Sequence, residues 1–401
     1  MKDYQARAEK VLMNVVKRLP VVLVQGKGAR VWDDEGREYL DFVGGWAVDS
    51  LGHSPSILSS TLREQSERLI QVSNQFYSVP QIELAELLVE NSCLDQVFFC
   101  NSGAEANEGA VKLARKYGKV HLNGAYEVIT TYGSFHGRTL SMTAATGQEK
   151  FKTWLSPLPP GFVHVEYDNV EKIKKATSFQ TCAVMLEPVQ GEGGVNIPHE
   201  DYLTKVEKWC QEKGILFILD EVQTGMGRLG SLFAYEQYHV EPDIMTLAKG
   251  LGGGVPIGAI LAKDRAAVFK PGDHGSTFGG NPLSCACALA VVRFILSNNI
   301  PRNAAKVGEY LLSQLKKVAT EFEAIREARG KGLLCALEFK DDIAEDVTLR
   351  AAEKRLLVNR VKANAIRFMP PLIISKEEVD EAINILKEVL WNLNTYSIPS
   401  R

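Results

Sequence analysis

The chain has 401 residues, 45% of them hydrophobic and 24% charged, with a net charge of −3. That length can bury a large core and predicts two lobes, and the near balance of charge gives no reason to expect nucleic acid or an anionic membrane as partner. The longest apolar runs, such as Ile215 to Leu219, fall far short of a bilayer span, and the opening Met1-Lys2-Asp3-Tyr4-Gln5 shows no secretory signal.

Residues 1–50 read as a helical start followed by short strands at Val21–Val24, Ala29–Trp32 and Tyr39–Phe42, divided by Gly26-Lys27-Gly28 and Asp33-Asp34-Glu35-Gly36. From 51 to 285, strands alternate with helices. That order predicts a parallel sheet with helices on both faces. The strongest strands are Val97–Cys100, Val128–Thr131, Ala183–Glu187, Ile215–Asp220, Ile244–Ala248 and Ala259–Ala262. Beyond Pro282 a long helical stretch should reach about Glu323, followed by a strand at Leu333–Phe339 and an amphipathic helix from Lys376 to about Leu393.

Four stretches carry chemistry. Gln96 to Ala110 runs from a strand into a helix, with Ser102 as N-cap, Glu105 three positions on, and Gly103 admitting a close ligand. The free N–H groups of such a helix start favour an anion, although helix starts of this kind are common. Tyr132-Gly133-Ser134-Phe135-His136-Gly137-Arg138-Thr139 follows the next strand. Phe135 can stack on a flat ring and Arg138 can take a carboxylate; taken singly, a core phenylalanine and a solvated arginine are the commoner readings.

Ile215 to Leu219 is a run of apolar residues that reads as a fully buried strand, and Asp220 stands at its carboxyl end. An aspartate there can simply cap a turn, or it can face a cationic ring nitrogen. Lys249 ends the next apolar run, before Gly250-Leu251-Gly252-Gly253-Gly254. Most Lys-Gly pairs just end an element. A buried lysine amine, however, is a nucleophile suited to a Schiff base with a carbonyl cofactor. Pyridoxal phosphate needs both a lysine and an acidic partner for its ring nitrogen.

Six segments occur in the order found in fold-type I, class III aminotransferases: Asn101 to Glu108, Phe135 to Thr139, Glu187 to Gly194, Asp220 to Gly225, Leu247 to Gly250 and Gly275 to Pro282. The chain resembles the acetylornithine/ornithine aminotransferase branch of that family from about Leu19-Pro20 to Leu372. The resemblance implies an α/β fold: a large domain over 51–285 with a mainly parallel sheet flanked by helices, and a smaller α+β domain over 286–401 against which 1–50 packs. It also implies a cytoplasmic homodimer with shared active sites, acting on small amino-acid and 2-oxo-acid substrates.

For the site, the resemblance implies pyridoxal 5′-phosphate on Lys249, with Asp220 at the ring nitrogen. The remaining cofactor contacts would come from Ser102, Gly103, Ala104, Phe135, His136, Glu221, Val222 and Gln223, and from Thr277 of the partner subunit. Arg138, Glu192, Ser276, Arg367 and Trp46 would contact substrate. Arg367 would take the α-carboxylate of glutamate, Glu192 would neutralise Arg367 when an ω-amino donor is bound, and Arg138 would clamp the distal carboxylate. The implied reaction moves the ω-amino group of N2-acetyl-L-ornithine to 2-oxoglutarate, in arginine biosynthesis.

Trp46 and Val16 depart from the branch's usual residues, so ornithine, succinylornithine and 4-aminobutyrate remain alternative donors. A cofactor-binding protein without catalysis is a different-class alternative, opposed by retention of Lys249, Asp220 and both arginines. The glycines after Lys249 lack the spacing of a nicotinamide-binding turn. The histidines show no metal-ligand spacing, so no metal is expected. The seven cysteines, an odd number with no CxxC pair, read as reduced thiols.

Overall fold

The structure is a computed structural model that describes residues 4–396. Its centre is a seven-stranded sheet. In spatial order the strands are Gln96–Cys100, Gly258–Ala262, Ile244–Leu247, Leu216–Asp220, Thr181–Leu186, Glu127–Thr131 and Phe162–Val165. Neighbours from Ile244–Leu247 to Phe162–Val165 run parallel. Gly258–Ala262 is antiparallel to both of its neighbours. The sheet is therefore mainly parallel, as the strand–helix alternation predicts. Its edge strand Phe162–Val165 is one that the apolar pattern misses, because His164 interrupts a short run.

Side chains alternate between two cores across this sheet. Phe217 and Leu219 belong to one apolar cluster, and Leu216 and Ile218 to another. The period of two along a strand requires that division. Helix Gly103–His121 packs Ala106, Ala110, Val111, Ala114 and Tyr117 into the second cluster. Gly118 on the same helix lies so close to the sheet that a Cβ there would stand 2.0 Å from the Ala125 carbonyl oxygen.

Two smaller sheets flank the centre. Ile325–Lys331, Leu334–Phe339, Ala365–Phe368 and Asn359–Lys362 form an antiparallel sheet in that spatial order. Leu23–Lys27, Arg30–Asp33 and Glu38–Asp41 form a meander, and Leu356–Leu357 joins it parallel to the last strand. The N-terminal segment is thus tied to the C-terminal part of the chain. Arg30 adds an ion pair to Glu381 on helix Lys376–Tyr396. Arg228 adds a staple between parts: its buried guanidinium donates to the carbonyl oxygens of Leu333 and Pro370, at 3.1 and 2.5 Å.

The long helical stretch expected after Pro282 is two helices, Pro282–Ser297 and Ile300–Glu321, bent by 67°. Asn299 takes a left-handed conformation at φ 50° between them, and Pro301 starts the second helix without needing an N–H bond. Among the described residues no single helix is long and apolar enough to cross a membrane. All seven cysteines are unpaired, and six of them are buried.

Candidate active site

The carboxyl ends of Thr181–Leu186, Leu216–Asp220 and Ile244–Leu247 open onto one cavity of about 430 Å³. Its lining includes Ser102, Gly103, Ala104, Phe135, His136, Arg138, Glu192, Asp220, Val222, Gln223 and Lys249. Eleven of the residues expected to form a site therefore meet at one place.

Asp220 ends its strand with its side chain buried, and three N–H groups converge on it. Asn107 Nδ2 and His136 Nδ1 reach Oδ2 at 2.7 and 2.8 Å, and the Val222 amide reaches Oδ1 at 3.0 Å. Asn107 is itself oriented by Thr246, whose hydroxyl donates to its Oδ1 at 2.6 Å. Asn107 was not foreseen, although it stands in the helical run that carries Ser102 and Glu105. The other nitrogen of His136, Nε2, is buried without a partner among the described residues.

At the other end of the cavity, Ser102 caps helix Gly103–His121 by accepting from the Glu105 amide at 3.2 Å. Glu105 returns a bond to the Asn101 amide at 2.8 Å. This capping box is offset by one residue from the usual pairing. A Cβ on Gly103 would lie 2.7 Å from Val222 Cγ1, so only glycine leaves this edge open. The next helical N–H groups have no intrahelical acceptor, which makes the edge suited to an anion.

Lys249 follows strand Ile244–Leu247 with φ 39°, a strained value for a residue with a side chain. Burial lowers its pKa, opposed by the negative charge of Glu192. Its amine is therefore a better nucleophile and base at neutral pH than a surface lysine.

Arg367 lies on strand Ala365–Phe368 and is fully buried. Its Nη2 donates to Glu192 Oε1 at 2.7 Å and to Asn359 Oδ1 at 2.8 Å, and its Nη1 donates to Gln223 Oε1 at 3.0 Å. Burial works against the Glu192 carboxylate, but Arg367 and Lys249 hold its pKa down to about 2. Nothing in the sequence around Asn359 signals its part in this set. Arg138, by contrast, is exposed. Its guanidinium lies 3.9 Å from the Phe151 ring centroid and 5.3 Å from that of Phe135, and among the described residues no carboxylate pairs with it.

The remaining expected residues lie elsewhere. Glu221 does not reach the cavity: its buried carboxylate accepts from the amides of Ala234 at 2.6 Å and Tyr235 at 2.8 Å. Side chains of successive residues leaving a strand point to opposite sides, which explains the divergence from Asp220. Ser276 and Thr277 lie on a loop outside the lining. Ser276 Oγ accepts from Asn101 Nδ2 at 3.0 Å, and the Thr277 carbonyl accepts from Gln71 at 2.6 Å. Trp46 is half exposed in a left-handed turn, where Gly44, Gly45, Trp46 and Ala47 have φ of 53, 60, 62 and 65°. Val16 is exposed on the N-terminal segment.

The fold and cavity define an α/β enzyme that pairs a strand-end lysine with a buried aspartate and an anion cradle. A class-III aminotransferase profile matches residues 12–390, and the chain belongs to that family. Fold-type I enzymes of this family use pyridoxal phosphate. The present residues fit it: an open amide edge for phosphate, a buried carboxylate, an amine of lowered pKa, and an unpartnered histidine nitrogen beside the carboxylate.

The chain is 51% identical to an acetylornithine aminotransferase of Caldanaerobacter subterraneus subsp. tengcongensis, over 95% of this chain and 98% of that one. It is 48% identical to another from Methanothermobacter thermautotrophicus, over 96% and 97%. Among solved structures, it superposes on the ornithine aminotransferase of Toxoplasma gondii ME49 with a TM-score of 0.95, at 34% identity over 98% of this chain and 96% of that one. The acetylornithine aminotransferase of Elizabethkingia anophelis gives 0.87, at 33% identity over 97% and 98%.

Glu221 generates a prediction about stability. Burial raises its pKa to about 8 despite the two amides. A folded value above the unfolded one means that its proton stabilises the fold at low pH, and this contribution is lost as pH rises through about 8. Glu221→Ala should flatten that slope and leave two buried amides unpaired, lowering stability by roughly 2–4 kcal/mol. Thermal unfolding across pH 5 to 9 checks both effects (roughly the window between the two pKa values). An unchanged melting temperature would refute the bracing role.

Proposed function

We propose that this chain moves the ω-amino group of N2-acetyl-L-ornithine to 2-oxoglutarate, giving N-acetylglutamate 5-semialdehyde and glutamate, a step of arginine biosynthesis. The observation that carries the reading is a breakable ion pair between the buried Arg367 and the part-buried Glu192, beside Lys249 and near Arg138, which no carboxylate pairs among the described residues. The relatives at 51% and 48% identity are both acetylornithine aminotransferases, against 34% for the ornithine aminotransferase of Toxoplasma gondii, which favours the acylated donor over free ornithine.

In this reading Ser102, Gly103 and Ala104 would hold the phosphate, Phe135 and Val222 would contact the ring, and Gln223 and Asp220 would serve its hydroxyl and its nitrogen. Pyridoxal phosphate, when bound, supplies the electron sink that makes the substrate's C–H bond acidic. Lys249 Nζ would hold the cofactor and would carry the proton from the substrate carbon. Its lowered pKa suits that shuttle. His136 orients Asp220 through Nδ1.

The two substrates need opposite charge at the reacting carbon. An ω-amino donor brings none there, so Glu192 stays on Arg367. Glutamate brings a carboxylate, which replaces Glu192 on Arg367. Unmasking is tolerable because Arg367 keeps Asn359 and Gln223 as acceptors, and because the Glu192 side chain is 29% exposed and can turn towards solvent. Arg138 clamps the distal carboxylate of either substrate.

We further propose a cytoplasmic homodimer in which Thr277 serves the partner's phosphate site. The loop carrying Thr277 is bound to Gln71 and Asn74, and around it Ile70, Phe76, Tyr77 and Phe278 are exposed. An exposed apolar patch of this kind marks an interface. Residues 1–50 would pack with the small domain over 286–401, and 51–285 would form the cofactor domain.

Arg367→Ala should slow the glutamate half-reaction by roughly 100-fold, the cost of losing one member of a buried charge pair, and largely spare the ω-amino half-reaction. Glu192→Gln should do the reverse. Stopped-flow spectra of each half-reaction separate them. Equal slowing of both by Arg367→Ala would make the pair structural.

A panel of N-acetylornithine, ornithine, N-succinylornithine and 4-aminobutyrate should give the highest kcat/KM on N-acetylornithine. A preference for ornithine would overturn the assignment of donor.

Active enzyme should sediment as at least a dimer, and Thr277→Ala should weaken cofactor binding by roughly 1–3 kcal/mol. A fully active monomer under assay conditions would refute the shared site.

A further inference from the structure

Glu187 is a buried carboxylate in the cavity wall with no cation paired to it among the described residues, and the reaction described above gives it no task. It stands just past strand Thr181–Leu186, five residues before Glu192 in the chain. Its two oxygens are used separately. Oε1 accepts from the Phe135 amide at 2.9 Å, and Oε2 accepts from the Gly191 amide at 3.1 Å. Phe135 lines the cavity on one loop, and Gly191 immediately precedes Glu192 on another. One carboxylate therefore ties two loops of the site together at the residues that matter.

We propose that Glu187 is a positioning residue that fixes the backbone beside Glu192, so that the masking of Arg367 depends on it. An ionised carboxylate is the side chain that the geometry requires, since two N–H donors need two acceptor oxygens. A glutamine would turn an NH2 group towards one of them. The surrounding backbone has little slack. A Cβ on Gly191 would lie 1.7 Å from Gln223 Oε1, and one on Gly193 would lie 2.6 Å from the Gly133 carbonyl oxygen. With the loop backbone pinned this closely, the Glu192 carboxylate can only swing by its own side-chain torsions. Its resting position on Arg367 is then set by where Gly191 is held.

Burial raises the pKa of Glu187 to about 7, with Asp220 adding to the rise and His136 and the two amides opposing it. Lys249 also faces it as a positive charge. Protonation turns one oxygen into an O–H, a poorer acceptor, and weakens its bond to one of the two amides. The brace is therefore complete above about pH 7 and weakened below it.

The inference rests on the reading of Glu192 and Arg367 as an exchangeable pair, and the test separates the two. The holoenzymes of wild type, Glu187→Gln, Glu187→Asp and Glu192→Gln are compared. The readout is the ratio of kcat/KM for N-acetylornithine to that for glutamate, measured from pH 6 to 9 (about the range that brackets the shifted carboxyl). Glu187→Gln should lower the ratio by roughly tenfold, the usual weight of one hydrogen bond to a charged group. It should also remove the wild-type inflection near pH 7. Glu187→Asp, charged but too short to span both amides, should lower the ratio and keep a pH dependence.

Hydrogen exchange supplies a readout apart from activity: the amides of Phe135 and Gly191 should lose protection in Glu187→Gln. If Glu192→Gln shifts the ratio and Glu187→Gln does not, the brace is refuted and the exchangeable pair stands. If neither shifts it, both are refuted. Unchanged protection at Gly191 would also overturn the proposal.

Discussion

Taking a carboxylate or a guanidinium out of water costs several kcal/mol unless other groups replace its hydration. This fold gathers Asp220, Glu187 and Arg367, all nearly inaccessible, around one cavity. Each one then needs donors or acceptors from several parts of the chain. Asp220 draws on a helix, a loop and its own turn. Arg367 draws on Glu192, Gln223 and Asn359, which belong to three separate segments. Satisfying the buried charges and assembling the site are the same act, and no one segment can shift without unpairing a charge held by another.

That dependence explains why the glycines cluster where they do. Gly103 and Gly191 sit where a Cβ would strike Val222 or Gln223. The backbone must come close so that a short polar side chain can reach its partner. Arg228 extends the connection between segments beyond the cavity. Its buried guanidinium joins the loop after Asp220 to Leu333 and Pro370, and Pro370 follows closely on Arg367. The strand bearing Arg367 is thereby referred back to the strand bearing Asp220.

How much of this the sequence reveals depends on whether a residue's role is local. Asp220 and Lys249 are legible because an apolar run that stops at a charge marks a strand end, and strand ends of parallel sheets converge. Ser102 is legible as a cap. The burial of Arg367 is not, since its neighbours Ile366 and Phe368 fit any strand and its acceptors are remote in sequence. Strands Ile325–Lys331 and Asn359–Lys362 escape the apolar pattern because they are charged and partly exposed. Glu221 shows the opposite failure. It lies in a motif whose other members face the cavity, yet the chain's alternation turns it towards Ala234 and Tyr235. Glu187 opens the segment Glu187 to Gly194, but only its two amide bonds point to a task for it.

The same geometry decides which member of the Glu192–Arg367 pair can move. Arg367 sits in a paired strand, with Ala336 opposite it on one side and Asn359 on the other. Its guanidinium is held by three acceptor side chains, so displacing it would unpair several groups at once. Glu192 has two bonding partners, Arg367 and a long contact of 3.4 Å from Gln223, and it alone of the pair touches solvent. On the proposed reading, exchange of a substrate carboxylate for Glu192 would leave the cation fixed and its hydrogen bonds nearly complete. A site built the other way, with a mobile arginine, would have to bury an unpaired carboxylate next to Lys249 in each cycle. On that reading, fixing the cation and moving the anion would keep both half-reactions within one unchanged cavity.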